Sequence, residues 1–284
     1  MREVVGGRGL RMLVDPAHGG RIVSLRHDEH EWLAPSTPAP AGATAFVHAG
    51  TGGWDEALPT VTPGAGLPDH GDLWNTVWEV VEATPSTLTL AGFSASADVR
   101  LERTITATGD GLELRYRAST TADTDRSFLW SAHPLVAAER GTTFDLPGVT
   151  ELTEEHPVRG RARTAPRPSW AAGSERQGVK AFVPSSSLDR TAGPDAAAAA
   201  DAADAAVAAS ITRADGRRLT LTWDPDEIPW LGLYWDTGEF STGPVIALEP
   251  TSAGTDSAER EADGWTVRAG RPLTWTIAVR ADAP

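Results

Sequence analysis

Three polar residues stand where apolar ones are expected: His70 in Leu67-Pro68-Asp69-His70-Gly71, His133 in Phe128-Leu129-Trp130-Ser131-Ala132-His133-Pro134 and Glu249 in Val245-Ile246-Ala247-Leu248-Glu249-Pro250. An unpaired buried charge is costly, so a sheet interior keeps such a group where hydrogen bonding or chemistry holds it. Two histidines and one carboxylate form a minimal acid/base set. Imidazole titrates near neutrality, so together with a carboxylate it can supply a general acid and a general base to one site. His133 and Glu249 end apolar, strand-like runs and are each followed by proline, while His70 sits among Pro, Asp and Gly in turn chemistry. Taken singly, each also has a structural reading: a backbone bond, a turn, or a pair with an arginine.

The elements that must position these groups are strands. Leu112, Leu114 and Tyr116 alternate with Glu113, Arg115 and Arg117; Leu273, Trp275, Ile277 and Val279 alternate with Thr274, Thr276, Ala278 and Arg280. Leu219, Leu221 and Trp223 alternate with threonines in the same way. This period of two is that of half-buried strands, and helical periodicity is almost absent. Gly109-Asp110-Gly111, Ala214-Asp215-Gly216 and Ala269-Gly270-Arg271-Pro272 separate the runs as tight turns. The Asp-punctuated alanine run within 193–210 lacks a bulky apolar stripe and reads as a low-complexity insertion, with a short exposed helix as the alternative. Four arginines and two prolines make 158–170 an irregular loop. No fixed-period repeat and no linker divide the chain, so residues 1–284 read as a single domain.

Composition narrows the partners. A net charge of −14 over 284 residues argues against general affinity for nucleic acid or anionic membrane, and fits a small neutral ligand. The chain has no cysteine, which removes thiolate metal sites, disulfides and cysteine nucleophiles. No apolar run approaches the roughly 20 residues of a membrane span, and the first residues lack a secretory h-region. A soluble, cytoplasmic protein is expected, as a monomer or homodimer. No phosphate loop, no Gly-x-Ser-x-Gly elbow and no His-Glu-x-x-His is present. His27-Asp28-Glu29-His30-Glu31 reads as a polar hairpin turn rather than a metal site, since a hairpin tip splays its ligands. Among 11 tryptophans, most of them core residues, Trp54, Trp74 and Trp235 stand in Gly-, Asp- or Asn-rich contexts near the three ionisable residues.

In chain order these segments resemble the aldose 1-epimerase, or galactose mutarotase-like, family from about Leu10 to about Val279. Gly20-Arg21-Ile22-Val23-Ser24-Leu25 looks like the family's N-terminal strand, and Gly52-Gly53-Trp54-Asp55-Glu56-Ala57-Leu58-Pro59 like the loop before the sugar site. Asp69-His70-Gly71 followed by Trp78-Glu79-Val80 looks like its His-Gly motif, Ser131-Ala132-His133-Pro134 like its His-Pro, and Glu249-Pro250-Thr251-Ser252 like its Glu-Pro segment.

The resemblance implies an all-β fold, a large antiparallel β-sandwich, and interconversion of the α and β anomers of a free aldose. No metal and no cofactor are implied. By resemblance Glu249 is the general base at the anomeric hydroxyl and His133 the general acid at the ring oxygen, its charge supported by a nearby carboxylate. His70 polarises the same ring oxygen. Trp54, Asp55, Glu56, Trp74, Trp235 and Asp236 are expected to contact the sugar. The Asn-Arg pair of galactose mutarotases has no counterpart, and Asp72-Leu73-Trp74-Asn75 replaces the arginine that often follows the His-Gly motif in hexose-6-phosphate epimerases. Phosphate would then fall to Arg126, Lys180 or the 158–170 arginines. Two other readings stand beside the free-aldose epimerase: a hexose-6-phosphate 1-epimerase and a non-catalytic carbohydrate-binding protein.

Overall fold

A computed structural model describes residues 1–37, 43, 45–46, 52–155, 163–165, 178–190, 206–258 and 264–284. The first half of the chain supplies β1 (Arg2–Val5), β2 (Leu10–Asp15), β3 (Arg21–His27), β4 (His30–Glu31), β5 (Gly53–Ala57), β6 (Glu79–Ala83), β7 (Thr87–Ser94), β8 (Val99–Ala107) and β9 (Leu112–Ser119). Next come β10 (Arg126–Phe128), β11 (Ser131–Ala137), β12 (Thr143–Asp145), β13 (Leu152–Glu155), β14 (Arg163–Ala165) and β15 (Gly178–Pro184). The last are β16 (Val207–Thr212), β17 (Arg218–Trp223), β18 (Trp230–Asp236), β19 (Val245–Thr251), β20 (Trp265–Val267) and β21 (Leu273–Asp282). Among the described residues there is no α-helix.

Two large antiparallel sheets share one hydrophobic core. The 8-stranded sheet runs β12-β16-β17-β21-β9-β8-β7-β6. Its strands alternate as read from the sequence: Leu112, Leu114 and Tyr116 on β9 and Trp275, Ile277 and Val279 on β21 are buried, and Arg115 and Arg117 are exposed. The 11-stranded sheet runs β1-β2-β3-β5-β11-β19-β18-β15-β13-β14, with β4 paired to β3. At its centre alternation disappears, because every residue of β5 and β19, and all but the last of β11, is buried. One face of these strands packs on the other sheet and loops cover the second, so polar side chains on the second face are desolvated too.

Several expectations need correction. His133 and Glu249 lie inside β11 and β19, not at strand ends. Proline removes one donor and fixes φ near an extended value, which a strand tolerates where that single bond is dispensable; pairing of β19 with β18 continues through Leu231↔Pro250. Of the 193–210 insertion, residues 193–205 lie outside the described residues. Val207–Ser210 instead begin β16, where Val207, Ala209 and Ile211 bury against the core and pair with β17. Of the 158–170 loop, Arg163–Ala165 forms β14, paired Leu152↔Ala165 to Glu154↔Arg163, and the rest lies outside the described residues. The His27–Glu31 segment is a hairpin, with His27↔His30 as its last pair and Asp28 at φ 53 in the turn.

Candidate active site

Strand register builds the site. His133 pairs with Asp55 on β5, while Ser131↔Thr251 and Val136↔Ile246 set it opposite Glu249 on β19. Glu249 in turn faces Gly232 on β18. Side chains on alternate residues share a face, so Asp55, His133, Glu249, Tyr234 and Lys180 all stand on the face away from the other sheet. Gly232 matters here. A Cβ at that position would lie 3.2 Å from both Cβ and Oε2 of Glu249. Its absence lets the Glu249 side chain lie across β18 toward Lys180 on β15.

His70 reaches the same place from a turn. It holds φ 56 and Gly71 φ 71, a left-handed pair rare for a side chain with a Cβ. A Cβ on Gly71 would come 1.7 Å from the Leu58 carbonyl oxygen, so that position admits only glycine. The turn is held by the Trp74 indole N–H, donating to the carbonyls of Asp69 at 3.0 Å and Gly71 at 2.9 Å. His70 Nδ1 lies 2.8 Å from Asp69 Oδ1, and Asp69 Oδ2 accepts the Phe46 N–H at 2.8 Å. Phe46 stacks on the His70 ring at 4.1 Å and meets His133 edge-on at 5.4 Å. The two imidazoles are 4.9 Å apart, centroid to centroid.

These groups border a cleft whose charged or titratable members include Asp69, His70, His133, Lys180 and Asp256, set among Phe46, Leu135, Tyr234, Phe240 and Val245. Glu249 is wholly buried just behind this wall, in contact with Lys180 through Oε2. Its Oε1 makes no hydrogen bond and lies 3.7 Å from His133 Nε2. Burial, followed by the positive fields of His70, Lys180 and Arg21, holds His133 well below the usual imidazole range. This corrects the expected charged imidazole: Glu249 directs its charge at Lys180, and desolvation wins at His133. Burial also pushes Glu249 above the ordinary carboxylate value, opposed by Lys180 and reinforced by Asp256.

The sequence matches no family model and no curated protein. Among solved structures it is similar to a candidate aldose 1-epimerase from Escherichia coli K12, at TM-score 0.70 and 15% identity over 100% of this chain and 99% of that one. It is similar also to a galactose mutarotase-like protein from Lactobacillus casei, at TM-score 0.69 and 15% identity over 99% and 100% of the two chains. A third, from Clostridium acetobutylicum, has TM-score 0.67 and 12% identity over 98% and 94%. The chain has the galactose mutarotase-like fold. That fold puts the sequence-derived His70, His133 and Glu249 together at the centre of its larger sheet.

Other expected contacts fall elsewhere on the mutarotase-like sheet. Trp54, Glu56 and Trp235 occupy the opposite face, between the sheets. Trp54 and Trp235 belong to the core, and Glu56 accepts from Arg103 Nη1, the Tyr116 hydroxyl and Trp130 Nε1, each at 2.9 Å. The period of two decides this: Asp55 faces the cleft side, so its neighbours Trp54 and Glu56 cannot. Asp55 is buried, accepting at Oδ1 from Arg21 Nε at 2.8 Å, and desolvation raises it above the ordinary value despite Arg21. Trp74 braces the His70 turn. Asp236 is spanned by a loop, Oδ1 accepting the N–H groups of Gly238 and Glu239 and Oδ2 those of Phe240 and Ser241, which places Phe240 and Ser241 in the cleft wall.

The cleft also contains residues that sequence reading missed or misplaced. Lys180, considered there only for phosphate, contacts Glu249 and lies 3.1 Å from Asp256 Oδ1. Arg126 is not in the cleft; it donates to Asp98 Oδ2 at 3.1 Å. Asp256 is anchored by its carbonyl, which accepts from Val61 N at 3.0 Å and Thr62 N at 2.8 Å. One signal could have found Lys180: it is the only lysine in the sequence. Phe46 and Asp256 had none, since each comes from a loop whose path only tertiary packing sets.

Proposed function

We propose that this protein is an aldose 1-epimerase acting on an unphosphorylated sugar. The observation that carries this reading is the bare Oε1 of Glu249, 3.7 Å from His133 Nε2 beside the cleft. Opening a cyclic hemiacetal takes a proton from the anomeric hydroxyl and gives one to the ring oxygen. Glu249 accepts the first and His133 supplies the second. After rotation about C1–C2 the transfers reverse, Glu249 returning its proton to the carbonyl oxygen and His133 taking that of the ring hydroxyl, so the other anomer closes. His70, braced by Asp69 and Phe46, stands beside His133 to orient the ring oxygen.

The cycle needs one proton in total on the Glu249–His133 pair. Burial lowers the proton affinity of His133 and raises that of Glu249, so desolvation opposes the charged form of each. A free rather than phosphorylated aldose is supported by Lys180, whose charge is already shared between Glu249 and Asp256. Asp69 and Asp256 add negative field to the same cleft, unfavourable to a phosphate. An acid and a base on one reacting centre also favour catalysis over binding alone.

Polarimetry or NMR exchange across free and phosphorylated aldoses tests the proposal. Glu249→Gln and His133→Asn should each slow anomer exchange by about 100- to 10,000-fold. Wild-type exchange no faster than in buffer for every sugar sinks the reading, and full activity in both variants removes the assigned roles.

A further inference from the structure

Lys180 stands alone in composition as well as in place. Of the 25 basic residues, every other one is arginine. A cation needed only to neutralise buried carboxylates could be a guanidinium, the more weakly hydrated group and the common choice for buried pairs. An ammonium differs in donating from a point, whereas the planar guanidinium fork tends to take both oxygens of one carboxylate. In this cleft the ammonium takes one oxygen of Glu249 only. Lys180 Nζ contacts Oε2 of Glu249, and Oε1 is left with no hydrogen bond, 3.7 Å from His133 Nε2.

We infer that Lys180 is the positioning residue of the proton transfer: it fixes Glu249 by one oxygen, stabilises its charge, and leaves the other oxygen bare as the base. This rests on the reading of Glu249 and His133 as the proton carriers. Asp256 Oδ1, 3.1 Å away, holds the ammonium from a second side, and the Phe182 ring lies 5.3 Å from it. Gly232 clears the path along which the Glu249 side chain reaches it. The ionisable groups facing Glu249 are Lys180 on β15, His133 on β11, Tyr234 on β18, His70 on its turn and Asp256 beyond β19. Burial would lower the Lys180 ammonium, but Asp256 and Glu249 outweigh it and hold it charged. Toward Glu249, Lys180 is the largest influence opposing burial.

Two Lys180 variants and two isotope labels test this. Lys180→Met should move the Glu249 carboxyl titration, followed by 13C-glutamate NMR and assigned with Glu249→Gln, to higher pH, together with the matching limb of the kcat profile. It should lower kcat by about 100-fold with little change in KM. Lys180→Arg should keep Glu249 ionised yet leave kcat well below wild type, because the fork covers both oxygens. An unmoved Glu249 titration in Lys180→Met, or wild-type kcat in Lys180→Arg, overturns the inference. Should Lys180→Met fail to fold, 15N-lysine labelling of the wild type gives a single side-chain Nζ signal. That signal should shift as Glu249 titrates and lose the step in Glu249→Gln; a signal with no such step overturns the inference. A wild type inactive on every aldose would end the epimerase reading, while these two titrations would still decide what Lys180 does to Glu249.

Discussion

His133 is the residue whose burial has the most direct energetic consequence. Its ring is almost wholly desolvated, its Nδ1 has no hydrogen-bond partner, and its proton affinity is held well below the usual range. In the unfolded chain the same imidazole titrates at about 6.5. Between the depressed folded value and that figure the unfolded chain binds a proton that the folded one does not, so stability is fully present above about pH 6.5 and falls as pH falls below it. Thermal denaturation should therefore show a steeper loss of Tm from pH 7.5 to 5 in the wild type than in His133→Asn. Equal slopes would show that the folded protein binds the His133 proton as readily as the unfolded chain does. His70 carries a different strain, a left-handed backbone held by Gly71, Asp69 and the Trp74 indole. Backbone strain of this kind persists where the surroundings over-determine it, and it is common at functional sites.

At the scale of elements, strand register and one glycine aim the chemistry. β5, β11, β19 and β18 bring Asp55, His133, Glu249 and Gly232 into one row across the sheet. A methyl group at position 232 would meet Glu249 at 3.2 Å, tight enough to push it by a few tenths of an ångström. Gly232→Ala should lower kcat, by up to about 100-fold for a displacement approaching 1 Å, with near-wild-type stability. A variant with unchanged kcat would show that the Glu249 position is not critical. Legibility from sequence divides along the same elements. Period-two runs such as β9 and β21 were readable because one of their faces is partly exposed. β11 and β19 were misjudged at their ends because both faces are dry, so alternation vanished and Pro134 and Pro250 looked like terminators.

Across the whole molecule, the sheets are joined beneath the cleft by a dry polar cluster. Glu56 on β5 binds Arg103 on β8, Tyr116 on β9 and Trp130, and Arg103 also donates to the Gly20 carbonyl and lies 5.3 Å from the Trp78 ring. Removing one partner leaves the other charge buried alone, so Glu56→Gln or Arg103→Met should each reduce unfolding free energy by about 3–5 kcal/mol, measured by denaturant titration. A double variant less unstable than the sum of the two singles would confirm their coupling, and additive losses would deny it. The sequence by itself determined the all-β class, the main turns, the acidic character and the trio His70, His133 and Glu249, because alternation, turn chemistry and misplaced charge are local signals. Only the tertiary structure decided which side of β5 faces the cleft, sent Trp54, Glu56 and Trp235 into the core, and placed Lys180, Asp256 and Phe46 beside the trio. Those outcomes depend on which strands become neighbours and on which loops fold over them, and neither is written in any short stretch of residues.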